Sequence, residues 1–138
     1  MASNEKEGSK KDAILDQAKI ALDKAAALRP NDSEIVAMEG FITMIRLTVD
    51  PATRGPQYSM MAVQSFSKAI ALDPKNPRAL ALMAQMQLGT AQFFKQEPTE
   101  ACATARQAQD LFNSTTPASP LSPAWGKSMN ESVLANCK

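Results

Sequence analysis

Along most of this chain apolar residues recur every three or four positions, the spacing that lines one face of an α-helix. Near the start they are Ile14, Ala18, Ala21, Leu22, Ala25 and Leu28; further on they are Ala62, Val63, Phe66, Ala69, Ile70 and Leu72. Prolines at 30, 51, 56, 74, 77, 98, 117, 120 and 123 punctuate the pattern. None falls within a run of helical apolar spacing, where one would cost about 3 kcal/mol. The spacing predicts helices near 9–28, 33–49, 57–72, 77–95, 98–113 and 123–136. Asn31 followed by Glu34 reads as a capping box for the second helix. Asn76-Pro77 and Ser122-Pro123 each read as a cap followed by proline at the first helical position. The polar stretch 1–8 reads as a disordered leader, leaving a helical domain over 9–136.

Composition points the same way. Of the 138 residues 23 are Ala, against four Val and seven aromatics. That favours helix, because strands draw on β-branched and aromatic residues. The all-α class follows. An apolar share of 44% is enough for a core.

A pattern of small residues repeats. Ala18, Leu22 and Ala25 precede Pro30 by 12, 8 and 5 positions, and Ala62, Phe66 and Ala69 precede Pro74 by the same offsets. Small residues let two helices approach closely, the larger side chain fills the space between them, and proline ends the helix.

The spacing A-x3-F-x2-A-x4-P resembles the second half of a tetratricopeptide repeat. The first half is matched only by Gly40 in the second helix and by the size pattern Leu80, Met83, Ala84 and Gln87 in the fourth. Ala101, Ala105 and Ala108 continue the small-residue pattern. The resemblance implies a right-handed solenoid of helical hairpins, about two and a half repeats with a capping last helix. The segment Asp50 to Ser59 then reads as an inserted loop, and a shorter insertion lies near Phe94 to Pro98. The Asp50–Ser59 segment with Pro123-Ala-Trp125-Gly126 also resembles an exported bacterial branch of that family without an assigned activity, which implies a periplasmic or secreted setting; the alternative is a cytoplasmic one.

The family register implies a concave face formed by Glu34, Ala37, Phe41, Met44, Ile45, Arg78, Ala81, Gln85 and Leu88. The expected function is a non-catalytic scaffold binding a peptide or protein segment through Phe41, Met44, Arg54, Tyr58, Arg78, Gln85 and Leu88. Arg54 offers a two-pronged donor and Tyr58 a flat contact. A chaperone-tail clamp, which needs Lys and Asn at Ala37 and Phe41, is not expected. Two other readings stand beside this one: a small-ligand-binding or enzyme-accessory domain centred on residues 50–59, and weak self-association through the uncovered face of the first helix.

The chain contains no His. Ser-His-Asp and Cys-His catalysis are therefore excluded, as are imidazole-based zinc sites. No enzyme activity, metal or cofactor is expected. A net charge of +1 gives no footprint for nucleic acid, and no apolar run is long enough to insert in a membrane. Cys102 and Cys137 fall at helix ends that an antiparallel pair brings together; a disulfide and two free thiols are both open. Trp125 reads as a core contact at the start of the last helix.

Overall fold

The computed structural model describes residues 2–114 and 124–137, with side chains from residue 7. Among the described residues all regular structure is helical: α1 (Ala2–Leu28), α2 (Ser33–Val49), α3 (Pro51–Leu72), α4 (Pro77–Phe93), α5 (Thr99–Ser114) and α6 (Lys127–Leu134). Each helix packs on the next, α2 also packs on α4, and α4 on α6. The even-numbered helices thus form one row, flanked by α1, α3 and α5. None of the described helices is long and apolar enough to cross a membrane.

Several boundaries differ from those the spacing predicts. α1 begins at Ala2, so the polar leader continues the helix. The N-cap of α2 is Asp32, whose side chain accepts from the backbone N–H of Glu34 and Ile35. Asn31 therefore builds no capping box, and Glu34 pairs with Arg78 instead. The largest difference lies at Asp50 to Ser59, which is not a loop. Asp50 alone separates α2 from α3 and caps the latter, and Pro51 opens the helix. Proline suits a first helical position, because its absent N–H has no partner there in any case. Pro56 lies inside α3, where its missing donor leaves the Ala52 carbonyl without the usual helical bond. The Ser122-Pro123 start falls outside the described residues, and α6 begins at Lys127.

Asn76 and Pro77 do open α4 as expected; the Asn76 side chain accepts from the Arg78 N–H at 3.1 Å. Its amide also donates to Ser33 Oγ (2.9 Å), which in turn donates to the Ala69 carbonyl (2.7 Å). This buried chain of bonds joins the starts of α2 and α4 to the end of α3.

The core is alanine-rich and closely packed. Ala62, Phe66 and Ala69 of α3 are fully buried against Val36 and Ala37 of α2 and Ala79, Leu82 and Met86 of α4. Phe66 fits because Gly40 faces it: a Cβ there would stand 2.5 Å from the ring. A second cluster joins Ala84, Ala101, Ala105 and Val133, and Cys102 is bridged to Cys137 with Cα atoms 5.8 Å apart. The bridge fastens the end of α6 to the start of α5. Gly126, with φ +104°, turns the chain into α6 where a side chain would meet Arg78 and Phe112.

Candidate functional site

α1 carries the same apolar spacing as α3, but its fate is different. Ala62, Phe66 and Ala69 are enclosed between α2 and α4. Ala18 is exposed and Leu22 and Ala25 are half-buried. Among the described residues of α1 only Leu15 is buried. A helix surface patterned for close packing is left open to solvent, and burying it remains favourable by about 25 cal/mol per Å² of apolar area.

This surface forms one wall of a groove of about 460 Å³. Leu15, Ala18, Ala21, Leu22 and Ala25 line it from α1, and Met38, Phe41, Ile42 and Ile45 line it from α2. The alanines of α1 make the width, since their short side chains leave the space between the two helices open. Every lining side chain is apolar, and the Met38 sulfur is the single heteroatom among them. Phe41 stacks on Trp125, with ring centroids 6.2 Å apart and planes inclined by 22°. The volume lies within the range of about 300–1,000 Å³ common for small-molecule sites.

An ionic cluster crosses the end of the groove marked by Leu15 and Ile45. Arg54 donates to both carboxylate oxygens of Asp12, at 3.0 and 2.8 Å, and to the Arg46 carbonyl at 3.0 Å. Arg46 reaches Asp12 at 3.4 Å and Asp16 at 2.5 Å. The Arg54 hydrogen bonds hold the Asp12 carboxyl below its ordinary value, against an opposing effect of burial; the charges of Arg54 and Arg46 add to the lowering. Asp12 in turn raises the Arg54 guanidinium.

The seven residues expected to bind a peptide fall on α2, α3 and α4, with Phe41 and Met44 packed on one core cluster and Arg54 beside Tyr58. Phe41 lines the α1–α2 groove. Met44 packs against the core around Phe66. Arg54 is engaged by Asp12 and lies 5.7 Å from the Tyr58 ring centre, and both sit on α3. Arg78 is paired with Glu34. Gln85 Oε1 is buried without a hydrogen-bond partner, and Leu88 packs beside Ala84 and Val133. Of the groove's residues, Phe41 and Ile45 were expected on a binding face; the uncovered apolar face of α1 was legible too, but as a surface for self-association and not as the wall of a ligand groove. A smaller, more polar depression lies by the disulfide, between Glu97, Thr99, Arg106 and Asn136.

No family model and no curated protein matches the chain. Among solved structures, the fold is similar to that of the HusA haemophore from Porphyromonas gingivalis, at 29% sequence identity and a TM-score of 0.84. The match covers 96% of this chain and 66% of that one, so the present chain spans just under two thirds of its length.

These findings overturn the tetratricopeptide resemblance and the peptide-binding scaffold inferred from it. The all-helical class stands; the repeat and solenoid descriptions do not. Alanine at matched offsets meets a demand for close helix contact that many helical folds share. The positions specific to the family's first helix, largely unmatched here, were the better guide.

Proposed function

We propose that this protein binds a planar, largely apolar small molecule of the porphyrin class, haem included, in the groove between α1 and α2. The observation that carries the reading is the groove itself: a wholly apolar trough made from a packing surface that none of the described helices covers. The likeness to a haemophore supplies the ligand class. It also favours the small-ligand reading over peptide capture, with the site on α1 and α2 rather than at residues 50–59.

The chain's chemistry constrains how haem would be held. Haem iron in proteins is bound by His, Cys thiolate, Met or Tyr. Here there is no His, and both Cys are spent in the bridge. Tyr58 lies beside Arg54 on α3 and is not among the lining side chains. Met38 remains as a lone thioether. Binding therefore rests on burial of the macrocycle against Leu22, Phe41 and Ile45, with iron ligation a minor contribution. The disulfide supports an oxidising compartment, periplasmic or secreted.

The test is an absorbance titration with haem and, in parallel, with metal-free protoporphyrin. Both should saturate at one equivalent with similar affinity. Absence of binding by either contradicts the proposal. Binding of haem alone contradicts the groove as its site and points to an iron ligand elsewhere.

A further inference from the structure

We infer that Arg46 is the anion-reading end of the α1–α2 groove, so that the ligand is an apolar body bearing a carboxylate. This inference rests on the groove reading above and narrows the ligand class.

The two ends of the groove differ. Beyond Ala25 the chain turns from α1 into α2 through Arg29 and Asp32, whose backbones are hydrogen-bonded at 3.3 Å. At the other end Arg46 follows Ile45 directly, and its guanidinium spans the seam to Asp12 and Asp16, on either side of Leu15. Between these ends the lining carries no charge. At the Ala25 end the Arg29 side chain is 78% exposed and pairs within its own turn with Asp32 at 3.7 Å, whereas Arg46 bridges the two walls; an anionic group seated against both walls therefore meets Arg46.

The pairing around Arg46 is arranged for exchange. Asp12 does not depend on it, because Arg54 already serves both Asp12 oxygens, while the Arg46 contact is the longer one at 3.4 Å. Asp16 supplies a single oxygen at 2.5 Å, and its side chain is 66% exposed against 20% for Arg46. A ligand carboxylate that displaces Asp16 leaves the charge at the guanidinium unchanged. It returns Asp16 to water that it already largely occupies. The planar fork of the guanidinium then takes the incoming carboxylate with two parallel bonds in place of one.

The experiment compares protoporphyrin IX with its dimethyl ester, which keeps the ring and loses both charges, on the wild type, Arg46→Gln and Asp16→Asn. The wild type should prefer the acid by about tenfold, the worth of one charge-assisted pair. Arg46→Gln should abolish that preference without weakening the ester. Asp16→Asn, a change at an exposed side chain, should tighten the acid several-fold and leave the ester unchanged. Equal affinity of the wild type for acid and ester overturns the inference alone, as does a preference that survives Arg46→Gln or an acid affinity unmoved by Asp16→Asn. Failure of both porphyrins to bind the wild type removes the groove reading itself, and this inference with it.

Discussion

Arg54 of α3 grips both carboxylate oxygens of Asp12 on α1, across 42 positions of sequence. With its third bond, to the Arg46 carbonyl, it ties α1, α2 and α3 together at one point. α1 otherwise packs along α2 alone among the described helices, so this tie fixes the outer wall of the groove.

The pair makes stability depend on pH in a defined direction. Asp12 titrates lower in the folded protein than when unfolded, chiefly through its hydrogen bonds to Arg54. Its contribution is present above the unfolded carboxylate value, about 3.9, and is lost as pH falls through the lower folded one. Urea midpoints of the wild type and Asp12→Asn should therefore differ at pH 6 and converge toward pH 2. An equal gap at both ends contradicts the assignment.

Gly40→Ala should destabilise the fold by about 1–3 kcal/mol, the usual cost of overpacking. The added carbon would lie 2.5 and 2.8 Å from the Phe66 ring and 3.0 Å from Ser65 Cβ, and Phe66 is fully enclosed. Chemical denaturation measures the loss, and Phe66→Leu in the same chain should recover part of it.

Lys95 ends α4 with φ +54°, while the Gln96 N–H donates to the Ala91 carbonyl at 2.8 Å. That closure favours glycine at the left-handed position. Lys95→Gly should raise stability by about 1 kcal/mol, the penalty a side chain incurs there. An unchanged or lower thermal midpoint would show that the Lys95 side chain makes a compensating contact.

Reduction of the Cys102–Cys137 bridge should remove about 2–4 kcal/mol, given a closed loop of some 35 residues. Hydrogen exchange should show α6 losing protection first, since the bridge fastens its end.

Much of the helical framework was legible in sequence, for identifiable reasons. Asn76-Pro77 announces α4 because the cap and the proline act locally. Ala62, Phe66 and Ala69 announce the core of α3 because their spacing reports close packing. The cysteine pair was legible as a candidate because neighbouring helix ends meet. Pro51 and Pro56 misled, since proline reads as a breaker although Pro51 suits the first helical position and α3 accommodates Pro56 at the loss of one helical bond.

The site was harder to see. Ala18, Leu22 and Ala25 repeat the offsets of Ala62, Phe66 and Ala69, yet one set is covered and the other is open. Periodicity reports which face is apolar; what covers that face is decided by elements distant in the chain. Arg46 and Arg54 likewise find their acids 34 and 42 positions away, beyond the reach of local pattern.

Trp125, the protein's single tryptophan, reports on the groove through Phe41, on which it is stacked. Its fluorescence should be followed during titration with protoporphyrin IX, in the wild type and in Ala21→Phe. Ala21 is exposed, so the substitution fills the trough while leaving the core untouched. Saturable one-to-one quenching in the wild type and its loss in the folded variant is the predicted result. Equal quenching in both proteins would contradict it.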